Sequence, residues 1–287
     1  MKNFLKVFVA ALLFYNCSGN SPIGEKAKDQ ETTVSQLPSE AVAQAIKSKF
    51  PGAVPYKQGM DSILAQLNRF GIQPAHMLWG QSTCVDDIIN TKNKLPSDLK
   101  GPFNFGGLAG LPFTGISGLN AFAHHAPENG TVVLFVGPHI GYNEKAGWGK
   151  ILRPDQHEAS SCCGALVAAL AKLQQGELKK QAPTPEDYQE GMIEQLAFAN
   201  RKEILASPDP LLTFTRLTYL EAIKEMTFYA SQVKERHFKY AVIVGGIIIN
   251  TDYTVTDYLS IENIAILDVQ KNVWVKGNKP VPDLNSK

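Results

Sequence analysis

The sequence predicts an α/β protein in which helices cover the faces of a sheet. Apolar residues at helical spacing alternate along the chain with short apolar runs typical of buried strands, and the two kinds of segment stay mixed throughout. The chain has 287 residues, of which 44% are hydrophobic and 19% are charged, so it can bury a full core. This pattern favours a catalytic or binding domain.

The first predicted elements are two helices and a strand. Ser39 is placed to cap a first helix that carries apolar residues along one side. Residues 60–70 repeat helical spacing, and Gly71 ends the pattern because glycine readily adopts the left-handed conformation found after helices. Residues 76–83 are typical of a strand, which would place Cys84 at its carboxyl end.

The middle of the chain is predicted to contain one loop and two strands. Residues 108–120 are rich in glycine and are predicted to be a loop. Residues 131–136 indicate a short buried strand that ends at His139, and residues 147–152 indicate a further strand that ends at Arg153. Open α/β sheets place their sites at the carboxyl ends of strands, so these ends are candidate functional positions.

The last third is predicted to contain three helices and two strands. The small apolar run after Cys163, GALVAALAKL, indicates a tightly packed helix. Residues 185–205 and 210–235 are predicted to be amphipathic helices. Residues 238–250 and 263–275 are predicted to be the strands that close the fold.

The charge balance argues against a nucleic-acid partner. The net charge is +1, so the chain lacks the basic excess with which proteins neutralise phosphates. The sequence also has no block of like charges that would indicate an interaction tail, and no internal repeat.

The N-terminus has the pattern of an export signal. Lys2 and Lys6 precede an apolar run over residues 7–15, which is too short to span a membrane and is typical of a secretory signal. Cys17 follows directly, in a context that resembles a bacterial lipoprotein signal, although residues 14–16 lack the usual small side chains. The remaining alternative is a buried N-terminal helix.

These features predict three segments. Residues 1–17 would be a signal peptide whose Cys17 becomes acylated, residues 18–38 a flexible tether, and residues 39–287 a single catalytic domain. The protein would then be exported to the bacterial periplasm or cell envelope, and its contact with the membrane would be a lipid anchor.

Three clusters supply the candidate chemistry. Cys84 lies with Asp86 in STCVDD, His139 lies in GPHIG, and Cys163 lies in SCCGA. Two thiolates and one imidazole are three ligands for a tetrahedral zinc, and a fourth position left to water distinguishes a catalytic site from a structural one. The ligands are far apart in the sequence, so such a site would be built by the fold. The alternative is that the cysteines are buried thiols and the histidine a hydrogen-bonded core residue.

Several motifs in order resemble one family. The segments are TCVDDIIN, FNFGGLAGLPFTGISGLNAFAHHAP, LFVGPHIGYN, GKILRPDQ, SCCGALVAAL and the late strand YAVIVGGIIINTD. From about Ser39 to Trp274 the chain resembles the limiting-CO2-inducible B/C proteins, also called θ-class carbonic anhydrases. The resemblance implies a β-carbonic-anhydrase-like mixed sheet covered by helices, a Zn²⁺ cofactor held by Cys84, His139 and Cys163, and a homodimer.

The resemblance also implies a reaction. A zinc-bound hydroxide would attack CO2 to give bicarbonate, and Asp86 would accept the hydrogen bond of the hydroxide and orient it. In β-carbonic anhydrases an arginine two residues after this aspartate pairs with it, but here that position is Ile88. We expect Arg153, in the LRP motif, to take the place of that arginine.

Other residues near the motifs have two interpretations. Cys162 is expected to be structural and to leave metal ligation to its neighbour Cys163. His124 and His125 are candidates to shuttle protons or line the pocket, because proton removal needs a group that titrates near neutrality. Loop packing or a partner interface would explain the two histidines equally well.

Three function classes follow. The first is a zinc carbonic anhydrase, and the second is a catalytically silent family member that acts as a binding or assembly protein. An arginine partner for Asp86 would distinguish the first from the second. The third is a thiol redox protein that uses Cys84, Cys162 and Cys163, which is disfavoured because the chain has no C-x-x-C motif.

Overall fold

The computed structural model describes residues 36–93 and 95–275. Helices and strands alternate along these residues. The helices are α1 Glu40–Lys49, α2 Tyr56–Arg69, α3 Asp87–Lys92, α4 Gly115–His124, α5 Gly164–Gln174, α6 Tyr188–Ala199, α7 Arg201–Ala206 and α8 Pro210–Ser231. The strands are β1 Val54–Pro55, β2 Met77–Thr83, β3 Lys100–Asn104, β4 Thr131–Gly137, β5 His139–Asn143, β6 Gly147–Trp148, β7 Lys150–Ile151, β8 Ser160–Ser161, β9 Tyr240–Asn250, β10 Tyr258–Asp268 and β11 Val273–Val275. The predicted α/β class is confirmed.

One mixed sheet organises the described residues. Its strand order is β1-β10-β9-β4-β2-β3, with β11 beside β10 and β5 beside the end of β9. Strands β3, β2, β4 and β9 run parallel, and β10 runs antiparallel to β9. Every residue of β4 is buried, as expected for a central parallel strand whose two faces are both covered.

The start of the fold follows the sequence pattern closely. The Ser39 hydroxyl accepts a hydrogen bond from the backbone N–H of Val42, which satisfies one of the free donors at the start of α1. Ile46 and Phe50 are buried on the apolar side of this helix. Gly71 follows α2 with a φ of +77°, the left-handed conformation that glycine adopts without steric cost.

The predicted loop over residues 108–120 is wrong in its second half. Helix α4 begins at Gly115 and buries Leu119, Phe122 and Ala123 on one face. This i, i+3, i+4 spacing is that of an amphipathic helix, and the burial outweighs the low helix propensity of the glycines.

Three later predictions also need correction. The helix predicted over residues 185–205 is interrupted at Asn200, whose side chain donates to the carbonyl of Leu196 and closes the last turn of α6. The strand predicted over residues 147–152 is two short strands, β6 and β7. The strand predicted over residues 263–275 is the second half of β10 followed by a turn and β11. Asp268 accepts the backbone N–H of Lys271 in that turn.

Among the described residues, no helix is long and apolar enough to cross a membrane. The predicted signal, Cys17 and most of the predicted tether lie outside the described residues.

Candidate metal centre

Two parallel strands deliver the first two candidate ligands. Cys84 directly follows β2, and His139 opens β5 two residues after β4 ends. Because β2 and β4 are parallel neighbours, their carboxyl ends meet at the same edge of the sheet. Cys84 is 4% exposed and His139 is fully buried.

The third candidate, Cys163, comes from the loop before α5. It is the residue preceding that helix and is buried. Backbone hydrogen bonds hold this loop to the sheet: Gly141 N–H donates to the carbonyl of Cys162, and Cys162 N–H donates to the carbonyl of Gly149. Gly141 permits this approach, because a Cβ there would lie 2.8 Å from the Cβ of Cys162.

The three side chains converge as a zinc site requires. The sulfurs of Cys84 and Cys163 are 3.8 Å apart. Two sulfurs held at about 2.3 Å from a tetrahedral ion would be separated by about 3.8 Å. One ligand atom from each of Cys84, His139 and Cys163 lies within 4.8 Å of the other two.

The hydrogen bonds of His139 leave one ring nitrogen for a ligand. Nδ1 lies 2.7 Å from Oδ1 of Asn250 and donates a hydrogen bond to it. Nε2 is buried and has no hydrogen-bond partner among the described residues. A buried imidazole nitrogen without a partner is costly in a metal-free core and is expected beside a metal. The residues present therefore fit a zinc ion.

Cys162 lies on the other side of this imidazole. Its sulfur is 3.5 Å from Nδ1 of His139 and 3.7 Å from Oδ1 of Asn250. Asp86, His139 and Cys162 also lie within metal-ligand reach of one another, but Nδ1 of His139 is engaged by Asn250. We therefore assign Cys162 a packing and hydrogen-bonding role.

Asp86 and Arg153 form a partly buried ion pair beside the ligands. Nη2 of Arg153 lies 2.9 Å and 2.8 Å from the two carboxylate oxygens of Asp86. The Arg153 side chain is 15% exposed and the Asp86 side chain is 12% exposed. Asp86 also accepts the backbone N–H of Ile88 at the start of α3. Ile88, at the position where an arginine was absent, is buried in the core. The arginine that pairs with Asp86 comes instead from the loop after β7.

The loop after β7 holds Arg153 in place. Nη1 donates to the hydroxyl of Ser160 at 2.7 Å and to the carbonyl of Ser161 at 3.1 Å. The preceding residue, Leu152, donates its backbone N–H to Oδ1 of Asp252 at 2.8 Å. The guanidinium is thus fixed by the loop as well as by its partner.

The charges of the ion pair are stabilised. Burial raises the pKa of Asp86, but the hydrogen bond and the charge of Arg153 outweigh it, and the pKa lies below its usual value. Burial lowers the pKa of Arg153, but the hydrogen bond and charge of Asp86 raise it above its usual value. At neutral pH Asp86 is therefore an anion that can accept hydrogen bonds.

Cys84 and His139 hold their protons more tightly than usual when no metal is bound. The hydrogen bond with Cys163 and then burial hold the pKa of the Cys84 thiol well above its usual range. Burial lowers the pKa of His139, but the neighbouring Cys162 and Cys84 sulfurs outweigh it and give a net rise. Metal binding must displace such protons, as it does in cysteine and histidine sites generally.

A glycine-rich turn packs directly against the carboxyl end of β2. A Cβ at Gly106 would lie 2.0 Å from the carbonyl oxygen of Thr83, so only glycine fits there. Gly107 accepts the backbone N–H of Val85, and the carbonyl of Gly110 accepts the hydroxyl of Ser82. These contacts fix the segment on both sides of Cys84.

His124 and His125 are not brought to this site. Both are exposed, and His124 lies 3.4 Å from Glu235. They end α4 shortly before β4 begins, whereas the candidate ligands lie beyond the end of β4. A seven-residue strand spans about 20 Å, so the histidines lie at the opposite edge of the sheet. Their predicted role in a pocket or proton shuttle has no support in this arrangement.

Sequence reasoning missed the residues that support the ligands. Asn250 ends strand β9, and Asp252 and Asp257 follow it. Asn250 contacts His139 and Asp257, and Asp252 accepts a hydrogen bond from the Arg153 loop. The sequence does contain a signal for them: the polar residues NTD, at positions 250–252, end the apolar run YAVIVGGIII. Sites in α/β sheets form at such strand ends.

Comparisons with known proteins agree with this geometry. The family model of limiting CO2-inducible proteins B/C beta carbonic anhydrases matches residues 53–268. The crystal structure of PtLCIB4, a homolog of the limiting CO2-inducible protein LCIB, has a TM-score of 0.73 and 27% identity, covering 83% of this chain and 100% of that chain. The crystal structure of LCIB has a TM-score of 0.64 and 17% identity over 85% of this chain and 100% of that chain, and shows the shared fold. No curated protein sequence matches the chain.

Proposed function

This chain belongs to the family of limiting CO2-inducible proteins B/C β-carbonic anhydrases, and we propose that it is a zinc-dependent enzyme that interconverts CO2 and bicarbonate. The observation that carries the proposal is the Arg153–Asp86 ion pair beside the convergent Cys84, His139 and Cys163 side chains. Stopped-flow measurement of CO2 hydration by the zinc-loaded protein tests it.

Cys84, His139 and Cys163 would hold the ion, with two sulfurs and Nε2 as ligand atoms. When bound, zinc lowers the pKa of water and thereby supplies a nucleophile near neutral pH. The burial of all three side chains excludes bulk solvent from this side of the site. Three protein ligands leave the fourth tetrahedral position to water or substrate.

Asp86 would orient the attacking water. Its carboxylate is held ionised, so it can accept a hydrogen bond from the water O–H and direct the oxygen lone pair at the carbon of CO2. Arg153 binds both carboxylate oxygens and so restrains Asp86 from moving onto the ligand cluster. Hydration then needs only that a proton leave the site and that bicarbonate be exchanged for water.

The same ion pair argues against a catalytically silent protein. A silent family member has no need of an ionised carboxylate held by an arginine beside the ligand cluster, and taking such a pair partly out of water costs desolvation energy. A thiol redox function is also disfavoured, because Nε2 of His139 and two sulfurs converge as a metal requires.

The ligand sulfurs should be protected from oxidation while zinc is bound. We expect chelation followed by a mild oxidant such as diamide to join Cys84 and Cys163 in a disulfide, because their sulfurs lie 3.8 Å apart. The zinc-loaded protein should keep these thiols under the same exposure. Peptide mapping by mass spectrometry identifies the pair, and activity should return only after both reductant and zinc are added.

Replacing Cys163 by serine is the control for this oxidation experiment. That variant should leave Cys84 without its neighbour and form no such bridge. A metal-free protein that keeps all its thiols after oxidant, or that regains full activity with zinc alone, would contradict a shared metal site.

We further propose that the chain is exported, is anchored to the cell envelope through acylated Cys17, and acts as a homodimer. The apolar run that ends just before Cys17 supports export and anchoring. In an oxidising compartment bound zinc would also preserve the site thiols.

Metabolic labelling with an alkyne fatty acid tests the anchor. The full chain produced in a bacterium is expected to take up the label, and Cys17→Ala is expected to abolish that labelling. Equal labelling of the two proteins, or none in the unmodified chain, would show that Cys17 is not acylated. Sedimentation of the purified protein reports whether it is a dimer.

A further inference from the structure

A second group of buried polar residues lies behind His139. Strand β5 pairs in parallel with the end of β9, with Gly141 opposite Asn250, and this register brings the Asn250 side chain to the imidazole. The chain then turns and returns at Asp257, whose Oδ2 lies 2.8 Å from Nδ2 of Asn250. His139, Asn250 and Asp257 are each at most 2% exposed.

Asp257 is surrounded by donors. Nζ of Lys92 on α3 forms an ion pair with Oδ1, and the backbone N–H of Thr251 donates to the same oxygen at 2.9 Å. Nδ2 of Asn93 donates to Oδ2 at 3.0 Å. A carboxylate is an acceptor only, so Asn250 must turn its NH2 group toward Asp257.

This orientation determines the state of the imidazole. With its NH2 group toward Asp257, Asn250 presents Oδ1 to His139 and to the thiol of Cys162. An oxygen can only accept, so Nδ1 of His139 must carry a proton and donate it. The lone pair of a neutral imidazole is then on Nε2, the nitrogen without a hydrogen-bond partner among the described residues.

We infer that Asn250 and Asp257 are positioning residues that fix His139 in the tautomer with the proton on Nδ1, so that Nε2 faces the metal. This inference rests on the proposed zinc site and extends it to two residues that touch neither metal nor substrate. Lys92 completes the arrangement by balancing the charge of Asp257.

Asp257→Asn removes the carboxylate that makes Asn250 donate to position 257 and accept from His139. The new amide can present either an NH2 group or an oxygen to Asn250, so the Asn250 amide is free to rotate. When its NH2 group faces His139, the imidazole must put its proton on Nε2 and cannot bind the metal. We expect the zinc dissociation constant to rise by about ten- to 100-fold, the range typical of lost outer-shell partners.

The double variant Asn250→Asp/Asp257→Asn should restore affinity. The carboxylate at position 250 then accepts a hydrogen bond from Nδ1–H of His139, and the amide at position 257 donates a hydrogen bond to that carboxylate. The direction of the hydrogen bonds is then the same as in the unmodified protein, but the negative charge is at position 250, next to the imidazole, instead of at position 257. A purely structural role for Asp257 predicts no such recovery, because the double variant departs further from the native sequence.

The experiment measures zinc affinity of the full chain by competition with a chromophoric chelator, without using activity. Asp268→Asn is the matched control, since it removes a carboxylate at the far end of β10 that binds Lys271 in a surface turn. Thermal unfolding followed by circular dichroism, without metal, establishes that each variant is folded.

The outcomes separate this inference from the proposed function. If the unmodified chain binds no zinc, the metal site itself fails and the inference fails with it. If the unmodified chain binds zinc and folded Asp257→Asn binds it equally well, the inference alone is overturned. It is likewise overturned if Asp257→Asn weakens binding but the folded double variant recovers nothing.

Discussion

Replacing Cys84 by serine is expected to remove zinc from the protein and with it measurable CO2 hydration. Cys84 supplies one of two sulfurs that lie 3.8 Å apart, and a hydroxyl is a far poorer zinc ligand than a thiolate. We expect the loss of affinity to exceed the roughly 100-fold limit typical of residues outside the first ligand shell. Metal analysis of the purified protein and stopped-flow CO2 hydration measure the two effects.

Cys162→Ser is the matched control for this experiment. Cys162 is as buried as Cys84 and neighbours Cys163 in the sequence, but its sulfur lies on the Nδ1 side of His139. This variant should keep about one zinc per chain, because three ligands of the tetrahedral site remain. Full zinc retention in Cys84→Ser, or loss of zinc in Cys162→Ser alone, would show that the ligands are assigned incorrectly.

Asp86→Asn is expected to keep the metal and to lower CO2 hydration by at least about tenfold. The substitution preserves shape but removes the negative charge, and one of the two oxygens that bind Arg153 becomes an NH2 group. The carboxamide can then neither accept as strong a hydrogen bond from the attacking water nor hold the guanidinium bidentately. Zinc content and the rate of hydration, measured on the same sample, test both parts of this expectation.

Two further variants calibrate the Asp86 result. Arg153→Lys keeps a positive charge but loses the Nη1 hydrogen bonds to Ser160 and Ser161 that fix the guanidinium beside Asp86, so we expect a loss of activity in the same direction with the metal retained. His124→Gln changes an exposed side chain at the opposite edge of the sheet and should leave activity unchanged. Unaltered hydration by Asp86→Asn would remove Asp86 from the mechanism, and full activity of Arg153→Lys would show that a positive charge at this position is enough to restrain Asp86.

The candidate ligands could be predicted from sequence because the motifs that contain them resemble one family and because each ligand lies where a pattern changes. Cys84 and His139 follow apolar runs that form β2 and β4, and Cys163 precedes a small apolar helix. Local periodicity identifies such strand and helix ends, and parallel strands bring their carboxyl ends together. Arg153 was predicted only as a substitute for the arginine absent at Ile88, and the structure places it against Asp86.

The supporting residues could not be predicted in the same way. The contact of Asn250 with His139 depends on the parallel register of β5 beside β9, which joins segments far apart in the sequence. The ion pair of Lys92 with Asp257 depends on how α3 packs against the turn after β9. Neither residue type nor spacing carries this information, because it arises from tertiary packing.

The errors in secondary structure have a similar origin. Gly115 and Gly118 made the start of α4 look like a loop, whereas the burial of Leu119 and Phe122 stabilises a helix there. Residues 263–275 are apolar enough to suggest one strand, but the turn after Asp268 divides them into β10 and β11. Local composition did not determine where these elements begin and end, and packing or turn geometry did.

The most direct test of the account is the rate of CO2 hydration by the purified full chain, measured by stopped flow before zinc removal, after zinc removal and after zinc is restored. We expect catalysis to be lost on chelation under reducing conditions and to return with about one zinc per chain. A protein that binds zinc stoichiometrically at its Cys84, His139 and Cys163 side chains, yet hydrates CO2 no faster than buffer, would contradict it.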